Sequence, residues 1–155
     1  MRPWNTEQFT SLIKTFPEGQ ILIEYDGKVV ASSSSHIVNF ANYSETSSWS
    51  ELTASGYITN HDPKGDMLYG LEIMVDPAFR NMKLSRRLYA ARQKLAKEKN
   101  LKGIAIGGRI PNYHKYSSKL TAAQYVQKVI DKKIYDPVLT AQLANGFVLK
   151  RLLPN

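Results

Sequence analysis

The stretch VDPAFRNMKLSRRLYAARQKL, residues 75–95, holds the residues best placed to bind an anion. An apolar run stops at Val75-Asp76-Pro77, and a helical pattern begins near Leu84, so the residues between them lead into a helix N-terminus. The first N–H groups of a helix have no intrahelical acceptor and lie at the positive end of its dipole, which is how backbone binds phosphate. Arg80, Lys83, Arg86 and Arg87 add cations to the same place. Such loops commonly use glycine to turn tightly and to let phosphate reach the backbone. None stands between residues 75 and 95, so the cradle, if it works, is built from other residues.

The charge supports that reading. The formal net charge is +8, and the segment from Arg80 to Lys102 accounts for it: Arg80, Lys83, Arg86, Arg87, Arg92, Lys94, Lys97, Lys99 and Lys102 are opposed only by Glu98. A basic stripe suits a polyphosphate, a nucleic acid or an acidic partner, or is simply a solvated helix face. No reader motif or basic sheet with interleaved aromatics accompanies it, which speaks against nucleic acid. Cysteine is absent, which removes thiolate nucleophiles and thiolate metal sites. His36, His61 and His114 are scattered without metal-binding spacing, so no metal is expected. No apolar run approaches twenty residues, so no membrane span is expected. MRPWNTEQ lacks the apolar core of a signal peptide, which makes cytoplasmic the default expectation.

The 155 residues fit one domain, 1–155, with 43% apolar and 22% charged residues, as in an ordinary globular protein. Residues 5–16 read as an amphipathic helix with Phe9, Leu12, Ile13 and Phe16 on one face, ended by Pro17 and Gly19. Residues 20–40 read as a hairpin turning at Asp26-Gly27. A long polar connection follows, 41–66, with a short helix around 49–54 and a turn at DPKGD; it is either a lid or a mobile segment. MLYGLEIMVD, 67–76, is a central strand, and Leu84, Leu88, Ala91 and Leu95 form the apolar stripe of the basic helix. A strand at 103–108, a loop at 109–120, a helix opened by the capping box Thr121–Gln124, a helix over 136–146 and a closing strand at FVLKRLL complete the chain. The class is α/β (α+β), a mixed sheet flanked by helices.

The run LEIMVDPAFRNMKLSRRLYAARQKL resembles the central motif of the GNAT superfamily of N-acetyltransferases, a strand ending near Val-x-Pro, then Arg/Gln-x-x-Gly-x-Gly/Ala, then a helix. DPVLTAQLANGFVLKRLL resembles that family's closing segment, with Gly146-Phe147 in place. Blocks such as GGRIPNYHKY look like the GNAT-like domain that precedes nitrilase-type carbon–nitrogen hydrolases in some proteins. The hydrolase half has no counterpart here, nor do the family's usual first strand and helix before Pro3-Trp4. The chain is therefore expected to be either a trimmed natural protein or a fragment of a longer one.

The resemblance implies an acetyl-CoA-dependent N-acetyltransferase acting on a small-molecule or peptide amine; the alternative is a non-catalytic CoA-binding or regulatory module. It implies that Arg80, Asn81, Met82, Lys83, Leu84, Ser85 and Arg86 hold the pyrophosphate, with Lys83 and Ser85 where the family has glycines. It implies that Met74 and Val75 receive the acetyl carbonyl on a strand that splays from its neighbour. Glu72 is the matching base, or else a strand residue paired with a cation. The family's usual tyrosine acid is Gln142 here, so Tyr113 or Tyr116 either replaces it or only packs. His61 and Asp62 either bind the acceptor or form a turn, and Arg109 holds an anion or a surface ion pair. An open sheet edge allows a homodimer or docking to a hydrolase domain.

Overall fold

The computed structural model describes residues 4–153. Residue contacts gather into two compact units that divide at Gly107/Gly108.

The first unit opens with α1 (Thr6–Thr15), closed at its start by a capping box in which Asn5 accepts from Gln8 N and Gln8 returns a bond to Asn5 N. Strands β1 (Gln20–Tyr25) and β2 (Lys28–Val38) form the expected hairpin, with Asp26 and Gly27 at φ 50° and φ 75°. Positive φ at both central residues gives the turn whose twist matches the strands. The connection carries the short helix α2 (Trp49–Thr53), capped by Ser48 and Glu51. Then come β3 (Met67–Val75), α3 (Leu84–Glu98) and β4 (Gly103–Ile106). The sheet order is β1-β2-β3-β4; the first two pairings are antiparallel and β3–β4 is parallel, so the sheet is mixed.

Helix α3 covers one face. Its Leu84 and Leu88 pack with Val30 and Ala31, and Ile21, Ile23, Ile73 and Val75 join them. Side chains alternate along a strand, so Gln20, Leu22, Glu72 and Met74 project from the opposite face. A second cluster gathers Leu12, Phe16, Leu52 and Ile58 around Ile37, Val38, Leu68 and Leu71.

His36 is fully buried in this unit, its Nε2 2.9 Å from the Leu52 carbonyl. Burial, first, holds its pKa down to about 4 from 6.5, the Leu52 bond opposing. The unfolded state therefore binds a proton between these values that the native state does not, so stability is present above pH 6.5 and is lost as pH falls toward 4. The expected loss is about 3 kcal/mol, measured by urea unfolding at pH 7 and pH 4; in His36→Gln this contribution should be gone.

The second unit holds α4 (Ala122–Ile130) and α5 (Leu139–Ala144). Its core is Tyr125, Val126, Val129 and Leu139, with Ile110, Tyr113 and Tyr116 against it. Asp136, fully buried, accepts from Tyr125 Oη at 2.8 Å and from the N–H groups of Val138 and Leu139 at 3.0 Å. That carboxylate starts α5, later than Pro137 alone suggests. The closing strand expected at FVLKRLL does not form: residues 147–153 belong to no strand, and Val148 is 70% exposed. Strand propensity needs an edge to pair with, and the described residues of this unit contain no strand.

Candidate active site

Two features converge at the end of β3. The first is the entrance to α3. Lys83 is its N-cap, at φ 58° and ψ 26°, with no side-chain cap, and Asn81 sits at φ 70°. Both are left-handed, the conformation that glycine adopts freely. Asn tolerates it better than most side chains, whereas Lys83 carries the strain. Ser85 already lies inside the helix and needs no positive φ. Lys83→Gly is therefore expected to raise stability by about 1 kcal/mol, read as a higher urea midpoint.

Helices α1, α2 and α4 are each closed by capping boxes. At α3, by contrast, no acceptor among the described residues takes the N–H groups of Leu84 and Ser85. There is no acid in its first turn, and Arg80, Lys83, Arg86 and Arg87 are exposed. Uncapped donors at a dipole's positive end, ringed by cations, suit a phosphate. The approach is held in place by Asp76, which accepts from Ala78 N at 2.9 Å and from Lys28 Nζ at 2.7 Å. The Lys28 bond, first, holds the Asp76 carboxyl below its ordinary pKa.

The second feature is a bulge. Ser34 pairs with Glu72 but Ser35 with Gly70, so Leu71 is an extra residue on β3. The β3–β4 pairing ends at Gly70/Ile106, while β2–β3 continues to Val75. β4 itself ends at Ile106, so from Leu71 onward β3 runs on past it, leaving that side of its backbone without a strand partner among the described residues. Trp49 Nε1 donates to the Leu71 carbonyl at 3.4 Å. From the other face Arg92 Nη2 donates to Ser34 O at 2.7 Å and also to Glu72 O. A methyl on Gly70 would lie 2.7 Å from Arg92 Nη1, so only glycine leaves the guanidinium its place.

Arg92 therefore does not belong to the basic stripe in which the sequence places it. It is 2% exposed, plugging the bulge from beneath. Burial lowers its pKa to about 10, Glu72 opposing, so it stays a cation at neutral pH. Glu72 is half-buried; desolvation, first, raises its pKa, while Ser34 and Arg92 pull it down. A half-buried carboxylate of raised pKa, on a strand whose far edge is unpaired, is of a kind that general bases use.

A family model described as the Acetyltransferase (GNAT) family matches residues 1–116. The chain is also 36% identical over 152 residues to an uncharacterized N-acetyltransferase, YkwB of Bacillus subtilis (strain 168), covering 98% of this chain and 67% of YkwB. The chain belongs to the GNAT acetyltransferase family. It is 51% identical over 155 residues to the probable hydrolase YhcX of the same organism, covering 100% of this chain; it spans only 30% of the length of YhcX. Among solved structures, the loading GNATL domain of CurA from Lyngbya majuscula superposes with a TM-score of 0.82 at 21% identity, over 97% of this chain and 74% of that one. At that identity the likeness speaks to the fold.

Within this GNAT fold, residues 80–86 and Glu72, Met74 and Val75 gather toward one end of β3 in the first unit. His61 and Asp62 are far from the start of α3, with the His61 ring 6.2 Å from that of His36. Ile37 N donates to His61 Nδ1 at 3.2 Å, and the His61 ring stacks on Phe16 at 4.6 Å. Ile37 pairs with Leu68, seven residues from Val75 along β3, or roughly 23 Å at 3.3 Å per residue. Asp62 N donates to Ile37 O at 2.9 Å, and its carboxylate accepts from Lys64 N at 2.9 Å. Both residues build the DPKGD turn into the sheet.

Tyr113, Tyr116, Arg109 and Gln142 lie in the second unit. Tyr113 Oη donates to Leu120 O at 3.1 Å, and the Tyr113 and Tyr116 rings pack on Tyr125 at 5.5 and 5.4 Å. Arg109 is exposed, and the Gln142 amide lies against Gly108. No cluster of His, Asp and Glu able to hold a metal occurs among the described residues. No helix among them is long and apolar enough to cross a membrane.

Sequence reasoning missed Arg92, Trp49 and Ser34. For Arg92 a signal exists, since it falls four residues after Leu88 and three before Leu95, on the apolar stripe. For the bulge contacts of Trp49 and Ser34 there is none.

Proposed function

We propose that this chain is an acetyl-CoA-dependent N-acetyltransferase acting on a small-molecule or peptide amine. The observation that carries the reading is the uncapped, cation-ringed start of α3 set beside a strand, β3, that runs past the end of β4 at Glu72. Acetyl-CoA would supply the activated acetyl group. The N–H groups of Lys83, Leu84 and Ser85, with Arg80 and Arg86, hold its pyrophosphate; Asn81 and Met82 shape the approach. The free backbone edge at Met74 and Val75 offers N–H donors where negative charge develops on the acetyl oxygen. Glu72 takes the amine's proton, directly or through water. The leaving thiolate needs a proton donor, and the Phe variants of Tyr113 and Tyr116 test each for that role by slowed turnover. Supply of acetyl-CoA with a panel of primary amines, followed by a thiol reagent, tests the function. Free CoA thiol released in proportion to amine supports it; binding without release points to the second reading.

That second reading is a CoA-binding or regulatory module. Gln142 favours it, standing where the family uses a tyrosine acid and lying against Gly108. So does the similarity to YhcX, of which this chain spans 30%. A hydrolase domain docked on the sheet, or a second copy of the chain, fits the outer edge of β1, which pairs only with β2 among the described residues. Light scattering across a concentration series separates the copy from the monomer. Cytoplasmic location stays part of the same proposal.

A further inference from the structure

Three buried acceptor atoms on the sheet face opposite α3 lack a donor: Gln20 Oε1, His36 Nδ1 and Glu72 Oε2. The register brings all three around one residue. Gln20 and Glu72 are the partners of Ser34 on either side, and His36 follows Ser34 by two positions on β2, which puts it on the same face. Each atom's role is fixed by its neighbours. Gln20 Nε2 donates to Phe16 O at 2.9 Å and Ser35 O at 3.2 Å, so Oε1 is the accepting end of the amide. His36 Nε2 faces the Leu52 carbonyl at 2.9 Å; a carbonyl only accepts, so the proton is on Nε2 and Nδ1 presents a lone pair. Glu72 as a carboxylate accepts only.

Buried acceptors are almost always paired, and three together without donors are unusual. We propose that this cluster is the head-group subsite for the acceptor, taking a primary ammonium, and that Gln20 is a specificity-determining residue within it. An ammonium has three N–H donors and no acceptor, which matches three acceptors without donors. A water, with two donors, leaves one of them unpaired. The inference rests on the reading of the chain as an amine acetyltransferase and deepens it. The next row outward is Leu22, Ser32 and Met74, with Leu22 57% and Met74 42% exposed, an open apolar approach for the carbon chain behind the nitrogen. Glu72 lies beside the point where β3 runs past the end of β4, so the bound nitrogen is delivered to that unpaired edge. There one ammonium N–H bond breaks, its proton passes to the Glu72 carboxylate, and the pair of electrons stays on nitrogen as its lone pair.

The test is calorimetric titration of the CoA-saturated chain with n-butylammonium, n-butanol and n-butyltrimethylammonium. Butylammonium is expected to bind at least tenfold more tightly than either other probe, because the quaternary ion has the charge without the donors. Gln20→Met should weaken it at least fivefold, with the affinity for CoA unchanged. Gln20 also holds two backbone carbonyls, so a second variant guards against misfolding. Leu22→Arg, at an exposed position, should weaken butylammonium and leave butanol as it was. Equal binding of butylammonium and the quaternary ion, or no butylammonium binding to a chain that still binds CoA, overturns the subsite alone. Failure to bind CoA overturns the acetyltransferase reading, and the subsite with it.

Discussion

Glu72→Gln is expected to lower kcat for acetyl transfer by about 10²- to 10⁴-fold, the usual contribution of a positioned general base, while acetyl-CoA affinity is retained. The side chain keeps its size and most of its hydrogen bonding, and the cradle on α3 is untouched. The native chain's rate of acetyl transfer should rise with pH through the raised pKa of Glu72, and the variant should lose that limb. Stability should respond in the opposite sense. A carboxyl whose pKa is raised on folding binds more protons in the native state, so its contribution is present at low pH and is lost as pH rises through the folded value. Glu72→Gln removes that dependence, and the variant should be less sensitive to pH in the weakly acidic range. Steady-state rates and urea unfolding across pH check both halves.

Arg92→Met carries the largest expected stability effect, a loss of about 3 kcal/mol or more, because two carbonyls lose a charged donor at roughly 1.5–3 kcal/mol each. The methionine fills much of the volume but leaves Ser34 O and Glu72 O without their donor and Glu72 without its nearby cation. Adding Glu72→Gln to Arg92→Met should restore part of the loss, because the uncompensated charge goes. The coupling, read from the four-way cycle of urea midpoints, isolates the charge from the carbonyl bonds. Simple additivity would mean that Arg92 serves only the two carbonyls of the bulge.

Much of the fold was legible because it rests on local chemistry. Asp26-Gly27 dictates the hairpin turn, Thr121 and Gln124 cap α4 through their own side chains, and Leu84, Leu88 and Leu95 place α3 on the sheet. The cost of a lysine at the cradle was also legible, since a position that needs glycine is one of positive φ, and Lys83 sits at φ 58°. What escaped depends on pairing between distant strands. The Leu71 bulge exists only in the register of β2 against β3, and Arg92 is drawn inward by carbonyls on two different strands. His61 reads as a residue of a polar loop, but its place is set by β2, where Ile37 N donates to its Nδ1 and its ring lies 6.2 Å from that of His36. FVLKRLL has strand composition without a strand beside it in its unit, and composition cannot supply one.

The central claim is that the glycine-free start of α3 binds the pyrophosphate of acetyl-CoA. Thermal unfolding of the native chain and of Lys83→Glu, each with and without acetyl-CoA, tests it most directly. At 100 times the dissociation constant the native chain should gain about 2.7 kcal/mol, seen as a clear rise in midpoint, and Lys83→Glu should show little of it. An unchanged midpoint for the native chain at millimolar acetyl-CoA, or an equal rise in both proteins, would contradict the claim.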